Sequence, residues 1–364
     1  MRVLITGGGT GGHCTPAIAV AEALSQTDPG VVINYVGRTD GPESQLVPLA
    51  GLDFAGLRLG SMGSSAVSSA PRLALRLPLV YREASRLVRR FRPQVVLATG
   101  GYVCVPVVLA ARRRRIPVLL LEQNMLPGRA VQWLASRVQE VATSFAGTAF
   151  HLPRAKVVCT GNPVRMSFAE LAGRPQLPEA PPTLLVMGGS QGARHLNEVL
   201  LEALPTLLQR LPQLTVVHLT GPTDHVPVVT AAREAGLPVG ERYQPQPFVG
   251  DVAQRLAAAS LVVMRAGGSS LAEVACLGRP MVLVPYPHAG EHQSANALPF
   301  EEAGAALVIP DHQLTAELLQ EAVVRVLGDP VRWRTMTTAS ASMARPKAAF
   351  DVAALLHELA GASG

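Results

Sequence analysis

One local pattern constrains the fold of this chain more than any other: a short run of β-branched or leucine-rich residues that ends at a glycine or polar turn and passes into a helical stretch. VLIT precedes Gly7, VVINYV precedes Gly37, VVLAT precedes Gly100 and PVLLLE precedes Gln123. Continuous apolar runs suit strands buried on both faces, and their alternation with helices predicts a parallel sheet with crossover helices. The rhythm starts again at TLLVM (183–187) and continues through TVVHLT (215–220), LVVM (261–264) and PMVLVP (280–285). The proline-rich RPQLPEAPP (174–182) lies between the two series and marks a linker or the approach to a new first strand. The halves also begin alike, VLITGGGTGGH at 3–13 and LLVMGGSQGARHLN at 184–197, each a strand, a glycine turn and a helix. At 364 residues the chain exceeds what one hydrophobic core usually organises. The expectation is an α/β protein of two Rossmann-like domains, with parallel sheets and phosphate-sized loops facing across a cleft.

Composition excludes several classes. A hydrophobic content of 48% supports full folding, and Cys14, Cys104, Cys159 and Cys276 stand far apart, without pairing or metal-ligand spacing. They read as buried thiols in a reducing compartment. MRVLITGGGT is too short an apolar start for a secretion signal, and no run reaches membrane-span length, so a cytoplasmic or peripheral protein is expected. The net charge of +6 is unevenly spread: Arg72, Arg76, Arg82, Arg86, Arg89 and Arg90 face only Glu83, and Arg112 to Arg115 are uninterrupted. Such clusters point to a phosphate-bearing partner, either anionic lipid or nucleic acid.

Gly7-x-Gly9-x-x-Gly12 matches the dinucleotide fingerprint, in which glycines let backbone amides approach a pyrophosphate at a helix start. The acidic residue that would hold a ribose after the second strand is missing, because Gly37, Arg38 and Thr39 stand there. An NAD role thus loses its key residue; Arg38 could favour NADP, but nothing else supports hydride chemistry, and the turn is left to bind another phosphate, hold an acceptor sugar or serve as a turn alone. His13 follows it and either accepts a proton from an attacking hydroxyl or orients the loop. Pro16 is expected in the first turn of the next helix. In the second half, Gly188 to Gly192 offers Ser190, Gln191 and backbone amides to a diphosphate, with a helix dipole behind them. The run Arg265 to Glu273 allows two readings: Ser270-x-x-Glu273 is a capping box, or Glu273 takes a ribose diol beside a phosphate on the same helix start. His288-Ala-Gly-Glu291-His292 has the letters of an inverted zinc-protease motif, but Pro287 and Gly290 predict a loop rather than the helix that motif needs. Gln293 and Asn296 are then candidates for nucleotide or sugar contacts. Gly161-Asn162-Pro163-Val164-Arg165 ends the first series as a turn whose arginine can meet a diphosphate, and Glu122-Gln123-Asn124 ends a strand, where open sheets bind ligands.

In this order GGGTGGH, EQN, GNPVR, GGSQGAR, RAGGSSLAE and HQSANALP resemble the MurG family, the N-acetylglucosaminyltransferases of peptidoglycan synthesis, from residue 3 to about residue 310. The resemblance implies the GT-B fold and an inverting, metal-independent transfer without a cofactor. The sugar would pass from UDP-N-acetylglucosamine to the 4-hydroxyl of the muramyl sugar of lipid I, giving lipid II. The expected domains are an acceptor domain at 1–163 and a donor domain at 164–341, with a terminal helix at about 342–364 that could pack back on either, the first included. Glu273 would take the ribose diol, Ser190, Gln191, Gly268 and Ser269 the diphosphate, Gln293 the sugar hydroxyls, Val249 the uracil, and Arg165 would close over the diphosphate. Thr10, Gly11 and Gly12 would hold the acceptor's own pyrophosphate with Asn124 nearby and His13 as base. Where relatives often carry two glutamines this chain has His292 and Gln293, and Ser269 replaces a larger apolar residue.

A polyprenyl-pyrophosphate-linked muramyl pentapeptide is the implied acceptor, so the enzyme is expected as a peripheral protein on the cytoplasmic membrane face, with no nucleic-acid partner. Leu73, Leu77, Val80, Ala84, Leu87, Val88 and Phe91 share one helical face and the six arginines the other, with Pro78 as a break or a helix start. The arginines either meet anionic headgroups, with apolar residues of 60–70 beside them, or form a solvated basic face.

Overall fold

The computed structural model describes residues 1–59, 66–173, 181–189, 192–287 and 291–362, with only the backbone described for 66–77. The chain forms two compact units, Met1–Met166 with Arg345–Gly364, and Ser167–Ala344.

In the first unit the strands are β1 (Arg2–Thr6), β2 (Val32–Arg38), β3 (Asp53–Leu57), β4 (Val95–Ala98), β5 (Val118–Glu122), β6 (Glu140–Thr143) and β7 (Val157–Cys159). They pair in parallel in the order β3-β2-β1-β4-β5-β6-β7, with Val3 of β1 opposite Ile33 on one side and Val95 on the other. The crossover helices are α1 (Gly11–Thr27), α2 (Glu43–Leu49), α3 (Ala66–Phe91), α4 (Cys104–Arg113) and α5 (Arg129–Ala135). Because side chains alternate along a strand, Val3 and Ile5 point to one face and Leu4 to the other, and all three are fully buried. Leu4 and Val96 join Val80, Ala84 and Val88 of α3 and Val107 and Val108 of α4 in one core. Val3 and Ile5 join Val20 and Leu24 of α1 in the other.

The second unit contains β8 (Thr183–Met187), β9 (Thr215–Leu219), β10 (Tyr243–Gln246), β11 (Leu261–Met264), β12 (Met281–Leu283) and β13 (Ala306–Val308), again all parallel, in the order β10-β9-β8-β11-β12-β13. After α6 (Met166–Ala169), its helices are α7 (Arg194–Arg210), α8 (His225–Glu234), α9 (Val252–Ala258), α10 (Gly268–Cys276), α11 (His292–Glu302), α12 (Ala316–Leu327) and α13 (Pro330–Ser342). Asp329 starts α13 by accepting from the amides of Val331 and Arg332 (2.9 and 3.1 Å), and Pro330 takes the first helical position, where no N–H is needed. His218 of β9 is buried between Tyr243 Oη (2.8 Å) and Asn197 Oδ1 (2.9 Å). That oxygen only accepts, so the Nε2 proton points to it and Nδ1 receives the phenol proton. Burial pushes the pKa of His218 down to about 3.

The chain returns to the first unit in α14 (Ala348–Gly361), which lays Val352, Ala353 and Leu356 against α1 and the β1 face. All three are essentially buried, and truncating Leu356 to alanine would cost about 2–5 kcal/mol.

Three expectations change. Cys159 is exposed at the end of the edge strand β7, whereas Cys14, Cys104 and Cys276 are buried, with thiols pushed up to about 12, 12 and 11 by desolvation. Pro16 is the sixth residue of α1, not in its first turn, because the helix begins at Gly11; proline there withholds an N–H from the Gly12 carbonyl four residues earlier. The helix α3 runs unbroken through Pro78, and Val80, Ala84 and Val88 of its apolar face pack into the core. Its arginines Arg82, Arg86, Arg89 and Arg90 are exposed. The side chains of Arg72, Leu73, Arg76 and Leu77, and all of 60–65, lie outside the described residues.

Candidate active site

In an open parallel sheet, ligands bind beyond the carboxyl ends of the strands, where neighbouring strands send their connections to opposite sides. In the first unit that point lies between β1 and β4, and the loops after both strands meet there. The Gly8 amide donates to the Gly100 carbonyl at 3.4 Å, and the Thr99 hydroxyl donates to the His13 carbonyl at 2.9 Å. Gly101 has φ +81, and a Cβ there would come within 2.3 Å of the Gly8 carbonyl oxygen, so only glycine lets the loops touch. The second loop, Gly100-Gly101-Tyr102, was not singled out by sequence reasoning, although its paired glycines after a buried strand were the available signal.

The amides of Gly11 and Gly12 open α1 behind Thr10, its N-cap, and helix-start amides are donors suited to an anion. His13 is the third residue of that helix and half-buried. Its Nδ1 lies 3.0 Å from the Gly8 carbonyl oxygen and 3.1 Å from Thr10 Oγ1. The carbonyl can only accept, so Nδ1 carries the proton and the Nε2 lone pair remains to receive one. Desolvation holds the His13 pKa below the ordinary imidazole value, opposed by the Gly8 carbonyl and the charge of Glu43. An imidazole neutral at physiological pH is the form that a general base requires.

Glu43 is a second residue that sequence reasoning missed. Fully buried at the start of α2, it accepts from the Gly9 amide (3.1 Å) and the Arg38 amide (2.9 Å), fixing the glycine turn to the end of β2. The region after the second strand thus does carry an acid, but one engaged with backbone rather than with a ribose. Glu122 plays the corresponding part after β5: it is buried and receives the Asn124 amide (2.9 Å), Asn124 Nδ2 (3.0 Å) and the Gly128 amide (2.9 Å). Gln123 Nε2 donates to the Thr99 carbonyl at 2.9 Å. Asn124 is therefore held in a loop tied to the two glycine turns. Arg165 is half-buried at the end of this unit.

The second unit repeats the arrangement between β8 and β11. Ser190 and Gln191 lie outside the described residues. On their flank Gly192 has φ +79, with its amide donating to the Gly189 carbonyl at 3.0 Å. After β11 the chain turns through Arg265 into α10, whose N-cap is Gly267 and whose first residues are Gly268 and Ser269. This start removes one of the two readings of the segment. Ser270 is the third helical residue rather than the cap, so Ser270-x-x-Glu273 is not a capping box, and Glu273 sits in the second turn at 7% exposure.

Neighbouring side chains brace that turn. Gln293 Oε1 accepts from the Ala266 amide (3.1 Å) and the Tyr286 amide (2.9 Å), which leaves its Nε2 end for a ligand oxygen. Asn296 is fully buried and donates to the Ala266 carbonyl (3.1 Å), so it supports the turn rather than reaching a nucleotide. Arg265 is nearly buried, bonded to the Val284 carbonyl and paired with Asp311, which also meets His195 at 3.3 Å. Val249 is buried in the loop between β10 and α9, next to the exposed Phe248. His288 lies outside the described residues, and Glu291, at φ 65, occupies the N-cap position of α11 rather than its interior. Among the described residues no three His, Cys, Asp or Glu side chains are grouped to hold a metal ion, and no helix is long and apolar enough to cross a membrane.

Two parallel α/β units, each with a glycine loop at the reversal of its strand order, define the GT-B class of glycosyltransferase architecture. Residues 3–143 match the glycosyltransferase family 28 N-terminal domain and residues 183–352 its C-terminal domain. A protein of Desulforudis audaxviator named UDP-N-acetylglucosamine--N-acetylmuramyl-(pentapeptide) pyrophosphoryl-undecaprenol N-acetylglucosamine transferase is 38% identical, over 99% of both chains. One of the same name from Moorella thermoacetica is 39% identical over 96% of both. The crystal structure of Acinetobacter baumannii MurG superposes with a TM-score of 0.77 at 28% identity, covering 98% of this chain and 99% of that one. The chain belongs to glycosyltransferase family 28 and, within it, to the MurG family.

Proposed function

We propose that this enzyme transfers N-acetylglucosamine from UDP-N-acetylglucosamine to the 4-hydroxyl of the muramyl sugar on a polyprenyl-pyrophosphate-linked pentapeptide, with inversion at the sugar's anomeric carbon. The observation that carries the proposal is identity of more than a third, over nearly the full length of both chains, to proteins named for that reaction. Donor binding is assigned to the second unit. The start of α10 at Gly268 and Ser269, with Ser190 and Gln191, takes the diphosphate. Glu273 takes the ribose diol, Gln293 donates from Nε2 to a sugar hydroxyl, Val249 lies beside the uracil and Arg165 supplies a counter-charge. The removal of the capping-box alternative supports the role of Glu273.

Acceptor binding is assigned to the first unit, with Thr10, Gly11 and Gly12 on the acceptor pyrophosphate and Asn124 on the sugar. His13 Nε2 removes the proton of the 4-hydroxyl as its oxygen bonds to the anomeric carbon, and UDP departs from the opposite face. The helix-start amides and dipole at Gly268 stabilise the charge gained by the leaving diphosphate, so no metal or other cofactor is assigned. The proton on His13 then passes to solvent. A peripheral position on the cytoplasmic face of an anionic membrane is assigned to the exposed arginines of α3 with Arg112, Arg113 and Arg115 at the end of α4, and no nucleic-acid partner is assigned. Sedimentation with anionic vesicles tests that part: charge reversal at Arg82, Arg86, Arg89 and Arg90 is expected to release the protein, and unchanged sedimentation would remove the assignment.

The reaction is tested by mixing purified protein with UDP-N-acetylglucosamine and the lipid-linked acceptor. UDP release is expected only when both are present; release without acceptor, or none with it, would overturn the proposal.

A further inference from the structure

Next to the glycine loops of the first unit lies a cavity of about 410 Å³ between α3, α4 and α5. Its walls are Val80 of α3, Val105, Pro106 and Leu109 of α4, and Ala130 and Trp133 of α5. Apart from these, Tyr102 and Arg129 complete it towards the loops. The volume falls in the range of small-molecule sites, and an almost wholly hydrocarbon lining calls for a hydrocarbon ligand. Tyr102 and Trp133 are 38% and 44% exposed, an arrangement of large apolar rings at an open hollow that marks a binding surface rather than a core. Arg137 stacks 4.5 Å over the Trp133 ring and holds the indole in place.

Position decides the ligand. Tyr102 follows Gly101, which packs on the Gly8 carbonyl, so the cavity begins one residue from the contact with the glycine turn that leads into Thr10 to Gly12. On the far side the exposed Arg129 follows Gly128, whose amide is held by Glu122 in the Asn124 loop. A polyprenyl diphosphate has its chain bonded directly to its phosphate, so a pyrophosphate at Thr10 to Gly12 would bring its chain to the neighbourhood of this apolar cavity. We propose that the cavity between α3, α4 and α5 is a subsite for the isoprene units nearest the acceptor pyrophosphate, with Arg129 at its entrance pairing with the phosphate charge. The inference rests on the acceptor assignment made above, and it makes the lipid a recognised part of the substrate rather than only an anchor.

The chain has two tryptophans, and Trp333 is buried in the other unit, with Nε1 bonded to the Ser260 carbonyl, so it gives a constant background. Trp133 emission is followed while full-length protein is titrated with farnesyl pyrophosphate, inorganic pyrophosphate, or vesicles of anionic phospholipid. Farnesyl pyrophosphate is expected to give a saturable change that disappears in Trp133→Phe and needs at least about tenfold more ligand in Ala130→Phe or Leu109→Gln. A change of the same size with pyrophosphate alone, a change with vesicles but not farnesyl pyrophosphate, or an unaltered midpoint in both wall variants would overturn the proposal. Turnover gives the second reading. The ratio of KM for a one-isoprene acceptor to KM for a long-chain acceptor is expected to shrink about tenfold in Ala130→Phe, and an unchanged ratio would contradict the subsite. Absence of UDP release with every acceptor would instead defeat the functional proposal, while leaving the binding titration to judge the cavity by itself.

Discussion

The hollow beyond β1 and β4 and the hollow beyond β8 and β11 arise from the same strand order, yet the side chains around them do opposite things. In the first, a buried acid, Glu43, is spent on backbone amides, and the imidazole of His13 is left with one nitrogen bonded to Gly8 and the other available. In the second, the strong cation Arg265 is locked to Asp311 and Val284, and what remains at the turn is a helix start with Glu273 behind it. Proton transfer therefore suits the first unit, and the binding of a nucleoside diphosphate suits the second. The comparison teaches that one topology, used twice, fixes where a ligand can sit but not which chemistry is done there; a few buried partners decide that.

The largest effect should come from breaking the proton-transfer half. His13→Ala is expected to lower kcat by about 10²–10⁴-fold with little change in the KM for UDP-N-acetylglucosamine, measured by steady-state UDP release. Retention of most of the turnover would move the base elsewhere. Because the folded His13 has a pKa below 6.5 in the free protein and must be neutral to act, kcat/KM should be flat above that pH and fall only below it, with the acid limb absent from the alanine variant.

Gly101→Ala attacks the geometry of the same hollow. With φ +81 and a Cβ 2.3 Å from the Gly8 carbonyl, the substitution is expected to cost about 1–3 kcal/mol for the backbone conformation, with the clash in addition. Denaturant unfolding would register the loss, and a midpoint equal to that of wild type would show that the two loops do not depend on each other.

In the donor half, Glu273→Ala should raise the KM for UDP-N-acetylglucosamine by about 1–3 kcal/mol, roughly five- to 150-fold, and leave the acceptor KM nearly unchanged. An equal rise in both KM values would dissolve the division between the units.

How far this division could be read from the sequence depends on what each residue bonds. Apolar runs such as VLIT and TLLVM announce strands buried on both faces, and the glycines after them announce the loops, because both signals are local. The strands β3, β7, β10 and β13 lie at the sheet edges and are only partly buried, which leaves a weaker apolar pattern. Glu43 was invisible because its partners, the Gly9 and Arg38 amides, are backbone atoms that any sequence possesses. The apolar face of α3 was legible, but not that α4 covers it. Ser270 and Glu273 carried the spacing of a cap, and only the start of α10 at Gly268 removes that reading.

The smallest effect concerns stability rather than catalysis, and it separates a structural histidine from a working one. His218 has a folded pKa of about 3 against 6.5 unfolded, so the unfolded chain takes up the proton first as pH falls. Its contribution is fully present above pH 6.5 and should decline by about 1.4 kcal/mol per pH unit below that value, toward pH 3. Unfolding midpoints in His218→Gln, compared with wild type between pH 7 and 5, should lose this slope.

The central claim, that an acceptor hydroxyl activated in the first unit attacks a sugar bound in the second, is tested most directly by the product itself. Mass spectrometry and NMR of the lipid-linked acceptor after incubation with UDP-N-acetylglucosamine should show one added N-acetylhexosamine, β-linked to the muramyl O4. An unmodified acceptor alongside released UDP, or an α linkage, would contradict the account.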